Sequence, residues 1–184
     1  MFGKDLTQEI IALYDSNLLN VFSINEISKK LGKKYPYVNK KVSSLIEENI
    51  LKKIVVGRSY LCSLNLENEK TILLLCLNEI NKQPSHASKV KQFIRRQRLE
   101  SSIHSVVELQ GRLIFILNEL KPRRKIERYF ENSTALDRDE FIDMLIENPG
   151  LFKNHTVVYG YERFFELITT SADELKRVYS PINY

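Results

Sequence analysis

Ten residues, SINEISKKLG from Ser23 to Gly32, write both ends of a helix into the sequence. Ser23 is suited to the N-cap, Glu26 three residues later completes a capping box, and Ile24, Ile27 and Leu31 fall on one face. Gly32 ends the helix by supplying the left-handed conformation that a side chain resists. Pro36 then fits the first turn of another helix, where its missing N–H would have no intrahelical acceptor. The spacing predicts two helices joined by a brief turn, the second running over about 36–49 with Val38, Val42, Leu45 and Ile46 inward. An earlier helix is predicted over 5–16, where Leu6, Ile10, Ile11, Leu13 and Tyr14 recur at helical spacing behind a capping-box pair, Asp5 and Gln8. After the third helix, ILKKIVVGRSYLCSL reads as two β-rich runs turning at Gly57-Arg58-Ser59, a hairpin with Lys52 and Lys53 near its start.

The charge is unevenly placed along this order. The 184-residue chain carries a formal net charge of +5. Residues 1–66 hold ten basic and six acidic side chains, and the remaining residues hold eighteen and seventeen, so most of the excess is N-terminal. That bias points to a polyanionic partner for the first third. An apolar content of 43% with 28% charged residues excludes a disordered chain. Cys62 and Cys76 lie in apolar runs without C-x-x-C spacing, which argues against a disulfide framework or a zinc site and fits a reducing compartment. The opening MFGKDLTQEI has no long apolar core behind a basic start, and the longest apolar run, Ile72 to Leu77, is too short to span a bilayer. A cytoplasmic location with no membrane partner is the expectation.

Three short helices and a hairpin in this order resemble the winged helix-turn-helix DNA-binding proteins of archaeal type. The resemblance covers residues 5–66 and rests on the element order with the pattern S-I-N-E-I-S-K-K-L-G … Y-V-N-K-K-V-S-S-L-I-E-E-N-I-L. It implies that the third helix is the recognition helix and that the hairpin is the wing. Carried over residue by residue, it assigns DNA binding to Lys33, Lys34, Tyr35, Tyr37, Asn39, Lys40, Lys41 and Ser44 around that helix and to Arg58 on the wing. The residue types suit the role: asparagine pairs with adenine edges, lysine reaches guanine acceptors or phosphates, and tyrosine bonds phosphate or packs on a thymine methyl. Two plainer readings stand beside it. Tyr35 and Tyr37 could be packing residues resting on the preceding helix, and Lys29 and Lys30 could be an ordinary solvated face.

Residues 68–82, NEKTILLLCLNEINK, hold too many apolar residues for one stripe, which predicts a helix buried on more than one side, against both domains or against a second copy. Residues 83–88, QPSHAS, punctuate the chain. KVKQFIRRQRLESS follows as a basic amphipathic helix with Val90, Phe93, Ile94 and Leu99 inward and Lys89, Lys91, Arg95, Arg96 and Arg98 outward.

Beyond it, IHSVVELQGRLIFILNEL predicts two strands joined across Gln110-Gly111, followed by the basic segment KPRRKIERYF. The stretch from Asp137 to Ile168, DRDEFIDMLIENPGLFKNHTVVYGYERFFELI, resembles the C-terminal part of the minimal nucleotidyltransferase family, closely over about thirty residues and only loosely over 103–136. In that family catalysis requires a Gly-Ser motif for the nucleotide phosphates and an Asp-x-Asp pair for two Mg²⁺ ions. Here the chain passes from Ser105–Leu109 through Gln110-Gly111 straight into RLIFIL, with neither. The one Asp-x-Asp, Asp137-Arg138-Asp139, reads as a helix start because Glu140 stands at capping-box distance from Asp137. His104 and His155 lack partners at a telling spacing and read as structural histidines. A last helix is predicted after Ser171, capped with Glu174 and ending before Pro181.

The sequence thus predicts an α+β protein in three parts: a winged helix-turn-helix domain over 1–66, connecting helices over 67–101 and a small nucleotidyltransferase-like α/β domain over 102–184. The expected function is sequence-specific binding of double-stranded DNA by a transcriptional regulator. Its C-terminal domain would be catalytically inactive, without catalytic residues, metal or cofactor, and would serve dimerisation, partner binding or ligand sensing. A homodimer would form through residues 68–82 or through that domain. The rival readings are a nucleotidyltransferase with a displaced metal site at Asp137 and Asp139, and a winged-helix adaptor that docks on protein.

Overall fold

The computed structural model describes residues 5–57, 59–82, 84–152 and 155–179. It is a mixed α+β chain that groups into two units, the first reaching Asn78 and the second running from Glu79 to Tyr179. The division falls inside a single helix, α4 (Glu69–Lys82).

The first unit runs α1 (Leu6–Ala12), β1 (Val21–Phe22), α2 (Ile24–Leu31), α3 (Tyr35–Glu47), β2 (Leu51–Val56), β3 (Ser59–Leu64) and the start of α4. Its strands form an antiparallel sheet in the order β1-β3-β2. The α2 punctuation forms as its residue types require. Glu26 N–H donates to Ser23 Oγ, Ser23 N–H donates back to Glu26 Oε2 at 2.7 Å, and Gly32 closes the helix at φ 63°. Helix α1 departs from its prediction: Asp5 makes no side-chain cap, its Oδ2 instead accepts the Thr7 hydroxyl at 2.8 Å, and the regular helix ends at Ala12. Beyond that point Tyr14 enters the core fully buried, its ring edge-on to Phe22 and its hydroxyl donating to the Cys62 carbonyl at 2.9 Å. Burial holds that phenol protonated well above the usual tyrosine range and pushes the Cys62 thiol up to about 11.

Helix α4 begins as part of this unit. Thr71, completely buried, donates its hydroxyl to the Ile50 carbonyl at 3.2 Å, and Asn68 Nδ2 donates to the Glu48 carbonyl. Within one chain the buried residues of α4 fall on one side, and the side expected to meet a second copy is open. Thr71, Ile72, Leu75, Cys76, Asn78 and Glu79 line one broad buried face, while Leu73, Leu77 and Ile80 stand exposed on the other.

The second unit continues with α5 (Ala87–Gln97), β4 (Ile103–Leu109), β5 (Arg112–Leu117), α6 (Arg123–Tyr129), β6 (Ser133–Asp137), α7 (Arg138–Glu147), a 3-10 turn over Pro149–Phe152, β7 (Thr156–Tyr159), α8 (Tyr161–Thr170) and α9 (Ala172–Tyr179). Its sheet has the order β6-β5-β4-β7. Strand β4 is antiparallel to both neighbours, and β5 is parallel to β6, so β5, β6 and β7 all point the same way. Strand β6 is not foreshadowed by the sequence, since STALD has no run of β-branched residues and pairs with β5 only after the α6 crossover. Val90, Phe93 and Ile94 of α5 pack with Ile126 and Phe130 on one face of the sheet, against Val106, Phe115, Leu117 and Val158. The alternate strand residues Val107, Ile114, Ile116 and Val157 are buried as well, under α7 and α8. Helix α5, predicted as part of a connection, therefore belongs to the core of this unit.

The edge strand β7 is closed from α4. Glu79, 1% exposed, accepts the Val157 N–H at 2.6 Å and pairs with Lys82, whose Nζ also donates to the His155 carbonyl. The His155 ring stacks on Phe152 at 4.3 Å, shares its Nδ1 with the Phe152 carbonyl and sits with Nε2 3.8 Å from Glu79. Burial, with Lys82 beside it, lowers its pKa to about 3, so the imidazole is neutral. The ring is enclosed by Phe152, Phe164 and Glu79.

Candidate nucleic-acid interface

The turn between α2 and α3 is held from both sides by one residue. Lys33 N–H donates to the Ser28 carbonyl at 3.1 Å, and Ser28 Oγ donates to the Lys33 carbonyl at 2.6 Å. Its ammonium reaches α1 and pairs with Glu9 at 3.0 Å. Of the lysines assigned to DNA from the sequence, Lys33 therefore has its charge answered inside the unit.

Helix α3 starts differently from its neighbour. Lys34 is its N-cap without any side-chain bond, Pro36 sits in the first turn, and that turn holds no acid. Helix α2 spends its N-terminus on the Ser23–Glu26 box. The positive end of α3 is thus left unanswered, next to Lys34. Tyr35 is 49% and Tyr37 60% exposed, which settles the question between packing and surface for both. Val38, Val42 and Leu45 face inward as expected, and Ile46 is half-buried. Lys40 lies on the opposite, solvent face, and among the described residues neither it nor Lys34 has an acidic partner. Asn39 is half-buried on one flank.

Two assigned residues turn aside. Lys41 faces Asp5, whose carboxyl is held below its usual range first by the Thr7 hydroxyl and also by this ammonium. It lines an open groove with Leu45, Ile50, Lys70, Leu73 and Leu74. Ser44 Oγ donates to Glu48 at 3.1 Å. Arg58 lies outside the described residues.

The hairpin adds a pair that the sequence reading passed over. Lys53 Nζ lies 4.4 Å from the centre of the Tyr60 ring, a cation–π contact. Burial, then Cys62 and Tyr35, raise the Tyr60 pKa. Helix α3 packs against β2, so α3 and the hairpin share one surface, which continues to Val55, exposed near the turn. The signal was present in strand parity. A tight turn at Gly57 puts residues 53, 55, 60 and 62 on one face, and the register Val55↔Tyr60 and Lys53↔Cys62 realises it. Lys52, on the other face, pairs with Glu67 at 2.8 Å.

In the second unit Asp137 Oδ1 accepts the Glu140 N–H at 2.8 Å, and Glu140 answers the Asp137 N–H and binds Arg123. The Asp-x-Asp triplet is a helix cap, as its spacing predicted. Among the described residues no cluster of three or more His, Cys, Asp or Glu side chains has a metal-binding arrangement, and no helix is long and apolar enough to cross a membrane. The chain matches no family model, no curated protein and no solved structure at a significant level.

Proposed function

We propose that the chain is a double-stranded DNA-binding protein, a transcriptional regulator whose first unit is a winged helix-turn-helix reader. One observation carries the reading: the uncapped, acid-free start of α3 lies beside two unpaired lysines and two exposed tyrosines, on a surface continuous with the Lys53–Tyr60 pair of the hairpin. A helix N-terminus with lysines binds phosphate, and side chains on the outer face of such a helix reach base edges in the major groove. In this reading Lys40 and Tyr37 address the groove, Asn39 reads an adenine from the flank, Lys34 holds a phosphate at the helix start, and Lys53 with Arg58 serves the wing. Lys33 and Lys41 support the unit, because Glu9 and Asp5 face their charges.

The second unit, in the same reading, is a nucleotidyltransferase-like α/β domain without a catalytic role. The carboxylate that a displaced metal site would need, Asp137, is already bonded to the α7 backbone. A second copy of the chain is the further partner, since the exposed leucines 73 and 77 lie one turn apart on α4 and two-fold operators are read by dimers.

Fluorescence anisotropy with genomic fragments over a salt series tests the proposal. Binding is expected to fall steeply with salt, since each neutralised phosphate contributes a slope of about −0.9. Absence of binding at low salt, or indifference to salt, refutes it.

A further inference from the structure

The second unit holds a group of cations that the DNA reading does not use. It lies at the edge of the sheet where β5, β6 and β7 end and β4 begins. There the β4–β5 register slips between Ile103 and Ser105, and His104 sits in the irregularity, half-buried. The backbone of Gly160, just past β7, is pressed against it: at φ 69° a Cβ on this residue would stand 2.5 Å from the His104 carbonyl and 3.1 Å from Ser105. This packing seats the start of α8 against His104 and brings Arg163 to it. Arg163 Nη1 donates to the Ile103 carbonyl at 3.2 Å, and its guanidinium lies over the Tyr159 ring at 5.4 Å. Arg138 opens α7 at the end of β6 and is exposed.

The charges are not balanced locally. Among the described residues neither Arg138 nor Arg163 pairs with a carboxylate. Of the nearby acids, Asp137 caps α7, Glu140 completes that cap and binds Arg123, and Asp139 and Glu162 are exposed. Burial lowers the His104 pKa to about 4, and Arg163 and Arg138 push it the same way, so the imidazole is neutral. Its Nδ1 is 3.1 Å from Ser105 Oγ, a completely buried hydroxyl. With that hydroxyl donating to Nδ1, the ring proton is on Nε2, which makes it a neutral donor beside two guanidiniums.

We infer that His104, Arg138 and Arg163 form a binding site for the terminal phosphate of a small molecule. Planar guanidinium forks match phosphoryl oxygens in pairs, and a single tetrahedral group has enough acceptors for the three side chains together. The location agrees with the general placement of ligands beyond the carboxyl ends of parallel strands, where successive helices leave toward opposite faces: α6 follows β5 onto one face, α7 follows β6 onto the other. A half-buried imidazole and a half-buried Arg163 favour one small phosphate over a nucleic-acid backbone, which lies along convex, exposed cations.

The chain's three histidines make the test internally controlled. The full-length protein is titrated with inorganic phosphate and with phenyl phosphate at constant ionic strength, and the imidazole resonances are followed by NMR. The expected result is a saturable shift of the His104 signals, with the buried His155 unmoved. Arg138→Gln, at an exposed position, should weaken the apparent affinity about ten-fold, corresponding to ~1.4 kcal/mol. Arg163→Lys should restore part of what Arg163→Gln loses. Failure of His104 to respond to either phosphate overturns the inference, as does an unchanged affinity in Arg138→Gln. A short DNA duplex that shifts His104 in competition with phosphate would assign the cluster to nucleic acid and also overturn it. The site is independent of α3, so loss of DNA binding leaves it standing, and the reverse.

Discussion

In the first unit Tyr35, Tyr37, Val55, Val56, Leu73 and Leu77 stand exposed, whereas in the second Phe115, Phe141, Phe164 and Phe165 are fully buried. The polar residues are divided in the opposite sense. The ion pairs of the first unit are half-buried or exposed, Lys33 with Glu9 and Lys52 with Glu67, while the second buries the carboxylate of Glu79 between Lys82 and His155. The difference teaches that the two units carry information in different places. Exposed aromatic and aliphatic side chains beside lysines are costly to leave in water unless something covers them, which is the reason for proposing the DNA surface on the first unit. The second uses its phenylalanines for packing and the buried Glu79 to close a sheet edge.

That contrast is open to direct attack. Glu79→Ala removes the charged acceptor for the buried Val157 N–H, so chemical denaturation should report a loss of about 2 to 3 kcal/mol in the second unit. Glu9→Ala in the first unit breaks a half-buried pair that water still reaches and should cost about 1 kcal/mol. Equal losses would abolish the distinction. Two of the left-handed glycines, one from each unit, sharpen it further. Gly160→Ala drives a Cβ into the His104 carbonyl and should cost about 3 kcal/mol or more, whereas Gly32→Ala has open space and should cost about 1 kcal/mol, both read by the same denaturation.

Acid should separate the units as well. Folded His155 stays neutral down to about pH 3, while the unfolded chain takes up its proton below about 6.5, so the unfolded state binds more protons in between. Its contribution is complete above pH 6.5 and declines by about 1.4 kcal/mol per pH unit below it, reaching about 2 to 3 kcal/mol by pH 4.5. His155→Phe should flatten that slope in a pH series of melts. In the first unit Glu26, held low chiefly by the Ser23 backbone N–H, contributes stability that is present above its unfolded pKa and lost only as the pH falls further. The smallest effects are expected in binding. Lys34→Ala and Lys40→Ala should each reduce the salt slope of DNA binding by about one, and Lys33→Ala and Lys41→Ala by clearly less, in the anisotropy assay. A larger loss from Lys33 or Lys41 would move the interface to the α1 side of α3.

Much of the local structure was legible. The Ser23–Glu26 and Asp137–Glu140 boxes, the Gly32 stop, Pro36 in a first turn and the inward Val38, Val42 and Leu45 all followed from residues within a turn of each other. One failure came from the same local rules: Asp5 and Gln8 had the right spacing, but Thr7 took the Asp5 carboxylate. In the candidate interface the residue types were legible and their orientation was not: α1 decides that Lys33 meets Glu9, and the hairpin register decides that Lys53 meets Tyr60.

The sequence by itself determined where helices begin and stop, which faces of α2, α3 and α5 turn inward, and that the charge excess lies near the N-terminus, because these depend on hydrogen bonds and periodicities spanning a few residues. Only the tertiary structure decided that Glu79 serves Val157, that β6 joins β5 in parallel, and that Gly160 and Arg163 seat against the start of β4. Those pairings join groups 20 to 78 residues apart by position in the sequence. No local preference encodes them, since they arise when strands adopt an order and a helix crosses from one edge of a sheet to the other.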